Sequence, residues 1–292
     1  VFTATKGLST RFTKKRVFNS PLAEASIMGV AVGMSLAGMK PVVEIQFGDY
    51  IWPAFQQMKN EMAPMRYRSN NAWSAPVLTR VAVGGYIHGG LCHSQNIEAF
   101  FSHIPGIFIA YPSNAADAKG LLKTACRIKD PVLFLEHKGL YRQSFAITPE
   151  PDDNYLLPFG KAKVVKEGTD ITVVSWGVSL WDSMIAAKKL EAEDYSVEVV
   201  DLRTIVPLDE ETIYKSVKKT NKVIIIHEDT LFGGFGAEIA ARIADNCFQQ
   251  LDAPVKRIAA MDAHIPYAPI LENEVLPSRD EIYNGIKDLL KY

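Results

Sequence analysis

Hydrophobic residues in the first half of the chain fall into short runs that alternate with helix-like segments. Near-continuous apolar runs at 40–47, 75–83, 106–112 and 131–137 predict strands covered on both faces, as in a parallel sheet. The remaining segments predict helices over about 24–37, 51–67 and 114–128, the last with Asn114 as its N-cap. The pattern therefore indicates alternating strands and helices.

A segment rich in Pro, Asp and Asn, residues 145–160, separates this half from a second half with the same rhythm and reads as a linker. Strands are predicted at 170–176, 196–202, 222–228 and 255–260, and helices at about 178–191, 209–219, 235–248 and 278–290. We therefore predict an α/β protein with two domains, residues 1–150 and 151–292. Both domains are expected to have largely parallel sheets with right-handed crossovers.

Composition argues against several classes of protein but does not indicate a particular function. The 292 residues carry a formal net charge of -1, which gives no sign of binding to nucleic acid or to an anionic membrane. No apolar run reaches the roughly 20 residues needed to span a bilayer. Cys92, Cys126 and Cys247 are far apart and odd in number, which argues against a disulfide framework or a CxxC metal site and favours a reducing compartment.

One acid, Glu24, lies in the otherwise apolar stretch "FNSPLAEASIMGVAVGMSLAG" of residues 18–38. Ser20 is a candidate N-cap and Pro21 suits the first helical position, so the helix dipole alone could account for Glu24. The residues that follow leave no polar face, which predicts a buried helix. Glu24 would then be a buried carboxylate that needs a partner.

Polar side chains follow three predicted strand ends in the first half. They are Glu24 after "RVFNSP", then Gln46, Asp49 and Tyr50 after "KPVVEI", then His88 and His93 after "APVLTRVAV". Ligands of open α/β sheets bind beyond the carboxyl ends of the strands. We therefore expect the three groups to converge at one sheet edge.

Each of these groups also has a structural explanation. The glycine-rich segment "GGYIHGGLCHSQ", residues 84–95, allows close approach of a ligand, but a flexible surface loop explains it as well. We favour His93 as an acid–base or hydrogen-bonding group over a zinc ligand, because too few ligands converge there. Tyr50 belongs to an aromatic cluster that either fills the core or stacks on a flat heterocycle.

Two further motifs receive no catalytic role. The glycine-rich turn at 227–240 either binds an anion at a helix N-terminus or packs tightly against its strand, and we prefer packing. The charged segment "EHKGLYRQ", residues 136–143, is assigned to packing between partners.

Four ordered blocks carry a resemblance to a known family. They read "NSPLAEASIMGVAVGMSLAGMKPVVEIQFGDYIWPAFQQMKNE", "GGLCHSQNIEAFFSHIPGIFIAYPSNAADAKGLLKTA", "PFGKAKVVKEGTDITVVSWG" and "HEDTLFGGFGAEIA". Together they resemble the beta subunit of the thiamine-diphosphate-dependent first component of 2-oxo acid dehydrogenase complexes, over nearly the whole chain. The resemblance implies a transketolase-like pyrimidine-binding domain followed by a transketolase C-terminal domain.

The resemblance also implies roles for five residues. Glu24 matches the glutamate that hydrogen-bonds a ring nitrogen of the cofactor's aminopyrimidine, which favours the imino form that takes a proton from the thiazolium carbon. Tyr50 matches the aromatic residue that stacks on the pyrimidine, and Leu22 and Gln46 match flanking contacts. His93 matches a histidine near the reactive carbon that transfers or positions a proton during decarboxylation and acyl transfer to lipoyl.

The family's cofactor needs a second subunit. No "GDG…N" motif is present, so the resemblance implies that an alpha subunit holds Mg²⁺ and the diphosphate, and that this chain supplies no metal ligands. A structural monovalent cation is a further candidate. The expected partners are the alpha subunit in a tetramer of two alpha and two beta chains, the lipoyl acyltransferase core, and a 2-oxo acid; nucleic acid and membranes are not expected.

The substrate and source are less directly indicated. The segments "EIQFGDYIWPAFQQ" and "YRS" favour branched-chain 2-oxo acids, with pyruvate or acetoin dehydrogenase as alternatives. A non-catalytic module that docks the acyltransferase core is an alternative of another class. Because Val1 is not Met and the family's chains begin earlier, we expect a piece of a longer chain, or the C-terminal part of a fused alpha–beta polypeptide. We expect the bacterial cytoplasm, or the mitochondrial matrix in a eukaryote, and favour the cytoplasm.

Overall fold

The computed structural model describes residues 3–292, in which helices surround two five-stranded sheets. The helices are α1 (Leu8–Phe12), α2 (Glu24–Leu36), α3 (Trp52–Gln56), α4 (Met65–Arg68), α5 (Glu98–Ser102), α6 (Ala115–Ala125), α7 (Gly177–Glu191), α8 (Glu210–Thr220), α9 (Phe235–Cys247), α10 (Pro269–Val275) and α11 (Arg279–Leu290). The strands are β1 (Val42–Ile45), β2 (Leu78–Val83), β3 (Phe108–Ala110), β4 (Val132–His137), β5 (Lys163–Lys166), β6 (Ile171–Ser175), β7 (Val197–Asp201), β8 (Thr204–Val206), β9 (Val223–Thr230) and β10 (Lys256–Ala260). No helix in this part of the chain is long and apolar enough to cross a membrane.

The first sheet has the strand order β1-β2-β4-β3-β8. Its first four strands are parallel, with Leu78 beside both Val42 and Val132 in the register. Strands β2 and β4 are buried along most of their length, because the chain packs on both faces of the sheet. The prediction of a largely parallel sheet is therefore confirmed for this half.

The second sheet has the order β10-β9-β6-β7-β5 and repeats this arrangement. Strands β10, β9, β6 and β7 are parallel, and only the edge strand β5 runs antiparallel, against β7. The four longest helices of this half, α7, α8, α9 and α11, lie where the sequence pattern predicts them. The α/β fold class is confirmed.

The two halves share structure that the linear pattern did not predict. Strand β8 comes from the second half but pairs antiparallel with β3 of the first sheet. Arg203, which directly precedes β8, forms two hydrogen bonds of 2.9 and 3.0 Å with the Asp117 carboxylate of α6. One hydrophobic cluster also contains residues of both halves, among them Leu133 and Trp176. Residues 147–162 contain no helix or strand, and the domain division at residue 150 stays a prediction.

Two predicted elements of the first half differ from the structure. No strand precedes Glu24 within residues 3–23: residues 17–23 are irregular, and α2 begins at Glu24 after Ala23, so Ser20 is not the N-cap. The helix predicted over 51–67 is divided: α3 gives way after Gln56 to a π-helical turn at Gln57–Met62, and α4 begins only after Pro64. Proline has no N–H to donate, so the regular helical ladder cannot continue through it.

The N-cap predicted for the third helix is confirmed. The Asn114 side chain accepts a hydrogen bond of 2.9 Å from the Asp117 backbone N–H, which is otherwise unpaired at the start of α6.

The buried Arg203–Asp117 pair gives a first prediction. We expect Arg203→Ala to lower the free energy of unfolding by about 3–5 kcal/mol, because the Asp117 carboxylate would stay buried without its partner. Arg66→Ala is the matched control, since Arg66 pairs with Asp130 at 2.6 Å with side chains 39% and 30% exposed, and should cost under about 1 kcal/mol. Guanidinium unfolding followed by circular dichroism measures both, and equal losses would contradict the prediction.

Candidate active site

Two of the three expected strand-end groups meet at one sheet edge. Strands β1 and β2 are parallel neighbours, so their carboxyl ends lie side by side. The 3-10 turn at Gly48–Tyr50 follows β1, and the glycine-rich loop of residues 84–95 follows β2. The Tyr50 hydroxyl and the His93 Nε2 atom are 2.7 Å apart. The structure thus joins two of the predicted site residues directly.

Hydrogen bonds fix the tautomer of His93. Its Nδ1 atom lies 3.2 Å from the Gly89 carbonyl oxygen, which can only accept, so Nδ1 carries the proton. In the neutral imidazole Nε2 then accepts from the Tyr50 hydroxyl. The Phe47 ring meets both side chains edge to face, with ring centroids 4.6 Å from His93 and 5.4 Å from Tyr50. The three rings therefore hold one another in place.

Glu24, the first residue of helix α2, lies at the same edge of the sheet. The 13-residue helix α2 packs against β1 and is joined to it by a short connection, so the two run in opposite directions. The start of α2 therefore lies towards the carboxyl end of β1. The predicted burial of this carboxylate is only partly met within this chain by itself, where Glu24 is half-buried.

The reason lies in helix α2, which its own chain covers on one face only. Met28, Ala31, Val32 and Ser35 are buried, whereas Val30 is 60% and Leu36 45% exposed. A helix that is apolar all round but half-covered leaves an apolar face for another molecule.

The remaining predicted contacts are open to solvent. Leu22 is 74% exposed, and Gln46, which directly follows β1, is also exposed. Neither Gln46 nor Glu24 makes a side-chain hydrogen bond within residues 3–292. Their position at the edge agrees with the predicted contacts, and their roles stay predictions.

Three buried polar atoms beside the site have no hydrogen-bond partner within residues 3–292: Asp49 Oδ1, Ser94 Oγ and Lys138 Nζ. Burial raises the pKa of the Asp49 carboxyl, although its Oδ2 atom accepts a 3.3 Å hydrogen bond from the Gln95 N–H. Burial lowers the pKa of the Lys138 amine to about 8, and its Nζ lies 5.5 Å from the centroid of the Phe47 ring.

Sequence reasoning missed Lys138 because "EHKGLYRQ" was assigned to packing. The signal was present, since Lys138 directly follows β4 and the carboxyl-end rule applies to β4 as it does to β1 and β2.

His88 lies in the same loop but points elsewhere. Its Nδ1 atom lies 2.7 Å from the carboxylate of Glu272 of α10 rather than approaching His93. Across residues 3–292, no group of three or more His, Cys, Asp or Glu side chains is placed to hold a metal ion.

A buried polar network that sequence reasoning did not find lies behind the loop. Glu228 of β9 accepts hydrogen bonds from the Gly85 N–H, at 2.5 Å, and from Asn96 Nδ2, at 2.8 Å. The His137 Nδ1 atom accepts from the Gly139 N–H, so its Nε2–H donates to Glu228. Burial acts to raise the pKa of Glu228, but His137 and the other donors outweigh burial and hold that pKa below its ordinary value.

The second glycine-rich turn packs as expected. A Cβ atom at Gly236 would come within 2.5 Å of the His227 ring, so these glycines allow α9 to lie directly on β9. Burial lowers the pKa of His227 to about 3, so this imidazole is neutral.

The two halves match two domain models in chain order. Residues 1–144 match the pyrimidine-binding domain of transketolase, and residues 160–282 match the transketolase C-terminal domain. A solved structure described as a split gene transketolase, an inactive beta4 tetramer, is similar with a TM-score of 0.79 and 24% identity, covering 99% of this chain and 90% of that chain. Fold and site thus define a transketolase-like two-domain protein.

Full-length relatives narrow this class. The chain is 47% identical to the 2-oxoisovalerate dehydrogenase subunit beta of Bacillus subtilis, over 100% of this chain and 89% of the relative. It is 44% identical to a mitochondrial 2-oxoisovalerate dehydrogenase subunit beta 2 of Arabidopsis thaliana, over 100% of this chain and 81% of the relative. It is 40% identical to a pyruvate dehydrogenase E1 component subunit beta of Staphylococcus epidermidis, over 100% and 89%. The chain belongs to the family of 2-oxo acid dehydrogenase beta subunits, which is thiamine-diphosphate-dependent.

The low pKa of Lys138 predicts a pH-dependent stability. The folded-state pKa of about 8 lies below the ordinary value of 10.5, so folding disfavours the charged amine and that cost fades as pH rises from 8 to 10.5. Between pH 7 and pH 10 we expect the native chain to gain on the order of 2 kcal/mol of unfolding free energy relative to Lys138→Met.

Chemical denaturation at both pH values measures this difference. Lys188→Met, at an exposed position on α7, is the control and should show no pH-dependent difference from the native chain. A Lys138→Met difference that is the same at both pH values would refute the assignment.

Proposed function

We propose that this chain is the beta half of a thiamine-diphosphate-dependent 2-oxo acid dehydrogenase. With an alpha partner it would decarboxylate a 2-oxo acid and transfer the acyl group reductively to lipoyl. The observation that carries the proposal is the Tyr50–His93 hydrogen bond at the sheet edge where α2 begins with Glu24. Membership of the 2-oxo acid dehydrogenase beta-subunit family supports decarboxylation as the reaction at this sheet edge.

The edge has the groups that an aminopyrimidine ring requires. Glu24 is half-buried and offers a carboxylate for a ring nitrogen, while the half-buried Tyr50 ring offers a flat apolar surface for stacking. Leu22 and Gln46 are exposed and would flank the ring. When bound, thiamine diphosphate supplies the carbon centre and electron sink for decarboxylation.

This chain's own residues would then orient the ring and handle protons. Glu24 would hold a hydrogen bond to the ring nitrogen, and closure by the alpha partner would exclude water and strengthen that bond. His93 would transfer or position a proton close to the reacting centre, with the Gly89 carbonyl setting which nitrogen accepts it.

The open face of α2 supports an alpha partner. A Cβ atom placed at Gly29 or Gly33 would meet nothing within 4 Å, so the exposed face is flat as well as apolar. Such a surface lets another helix approach closely. We propose that the alpha subunit covers it in a tetramer of two alpha and two beta chains, which also serves the lipoyl acyltransferase core.

The remaining assignments are also proposals. We place Mg²⁺ and the diphosphate on the alpha partner, and a structural monovalent cation stays a candidate. The relatives include bacterial and mitochondrial proteins, and we favour a bacterial cytoplasmic enzyme.

Glu24 provides the direct test of the proposal. With a matching alpha subunit, we expect calorimetry to show binding of thiamine diphosphate and Mg²⁺, and decarboxylation to fall on the order of 10²–10⁴-fold in Glu24→Gln, since a proton-handling group is lost. Glu61→Gln, an exposed carboxylate of the same half, should leave the rate unchanged. A fully active Glu24→Ala enzyme would mean that Glu24 only begins a helix.

Substrate choice forms a separate prediction. We expect kcat/KM for 2-oxoisovalerate to exceed that for pyruvate by at least about tenfold, because its extra methyl groups add apolar contact. The 47% identity to a 2-oxoisovalerate dehydrogenase subunit supports this preference. A preference for pyruvate would favour the pyruvate dehydrogenase alternative, and no turnover of any 2-oxo acid with the partner present would favour a non-catalytic docking module.

A further inference from the structure

The loop that carries His93 has an unusual backbone. Four alternate residues lie at positive φ: Gly84 at 88°, Tyr86 at 59°, His88 at 57° and Gly90 at 61°. Tyr86 and His88 have a Cβ atom that opposes this conformation. The loop therefore needs support from surrounding structure to hold this shape.

That support comes from the second half of the chain. The Gly85 N–H donates to Glu228 at 2.5 Å, and the Tyr86 hydroxyl donates to the Pro277 carbonyl at 2.8 Å. The His88 N–H lies 3.2 and 3.3 Å from the two carboxylate oxygens of Glu272, and the His88 Nδ1 atom pairs with the same carboxylate at 2.7 Å. Each of the three anchors, at Gly85, Tyr86 and His88, joins residues far apart in sequence.

Two glycines allow the loop backbone to pack closely against the residues on either side of α10. A Cβ atom at Gly85 would come within 2.6 Å of Leu276, and one at Gly90 within 2.4 Å of the Tyr267 ring. Both contacts are to residues beside α10, the helix that carries Glu272. The fit leaves no room for a side chain between the loop and α10.

Glu272 has no alternative to this contact within residues 3–292. Its side chain is 0% exposed, and all the polar contacts of its carboxylate go to His88. A buried carboxylate is stable only with partners. The cost of leaving Glu272 unpaired therefore opposes any movement of His88 away from α10.

His88 is directly joined to the residue that orients the candidate catalytic imidazole. The next residue, Gly89, accepts the His93 Nδ1–H through its carbonyl oxygen at 3.2 Å. At its base the loop closes through a 3.1 Å hydrogen bond from the Gly84 N–H to the Gln95 carbonyl. Fixing His88 thus fixes the acceptor that decides which His93 nitrogen faces Tyr50.

We propose that Glu272, with Glu228, is a positioning residue: the second half of the chain holds the 84–93 loop so that His93 keeps its tautomer and its bond to Tyr50. The catalytic consequence rests on the function proposed above, whereas the anchoring of the loop does not.

The first test measures the loop itself in the assembled enzyme. Hydrogen exchange of a peptide covering residues 84–95 should be at least tenfold faster in Glu272→Ala. In Glu272→Gln it should be intermediate, because the amide oxygen still accepts from the His88 N–H. Glu274→Gln, an exposed acid on the same helix, is the matched control and should exchange like the native enzyme.

The second test separates positioning from general destabilisation. In Glu272→Ala we expect kcat for 2-oxo acid decarboxylation to fall at least tenfold, with KM for the 2-oxo acid changed less than twofold. Peptides outside residues 84–95 should exchange at the native rate. Native-like exchange and native kcat in a folded Glu272→Ala enzyme would overturn the proposal.

A loop-side variant covers the case in which Glu272→Ala does not assemble. The His88 side chain is 53% exposed, so substitution there should be tolerated. His88→Asp places a like charge against Glu272 and should reproduce the faster exchange and lower kcat, whereas His88→Asn keeps a donor there and should restore both. Equal behaviour of these two variants would also overturn the proposal. If the native enzyme turned over no 2-oxo acid while exchange followed these expectations, the proposed function would fail and the anchoring would stand.

Discussion

The Glu228 carboxylate, buried between the two halves of the chain, is the constraint on which the rest of the structure depends. A carboxylate without water must find donors, and Glu228 finds them in Gly85, Asn96 and His137, all in the first half. Tyr111 extends the network by donating to Asn96 at 2.6 Å. The carboxyl-end region of one sheet is thereby fixed against that of the other, and the loop carrying His93 is held between them.

In the function proposed above, the site that results is half of an active centre. The chain itself orders Tyr50 and His93, because both lie where its own two halves and its own aromatic rings enclose them. Leu22 and Gln46 remain exposed and Glu24 is only half-buried, and helix α2, which begins at Glu24, shows an uncovered apolar face. A second molecule that covers this face would complete both the packing of the helix and the burial of the carboxylate.

Sequence reasoning succeeded where local pattern decides structure and failed where contact with distant residues does. The periodicity of α7, α8, α9 and α11 fixed their positions, and Asn114 marked the start of α6. The pairing of β8 with the other half's sheet had no local signal, because a three-residue strand is stabilised only by its neighbour. Glu24 was expected to be buried, since an all-apolar helix does not reveal whether its own chain or another covers it.

The sequence by itself determined the α/β class, the chain order of the strands and the residue types placed at their carboxyl ends, because these follow from hydrophobic periodicity and from the rule for parallel sheets. Only the tertiary structure decided that His88 turns away from His93 to Glu272, a residue 184 positions further along the chain. It also decided which nitrogen of His93 accepts from Tyr50. Hydrogen bonds between distant side chains depend on distance and direction in space, and neither quantity is present in the spacing of residues along a chain.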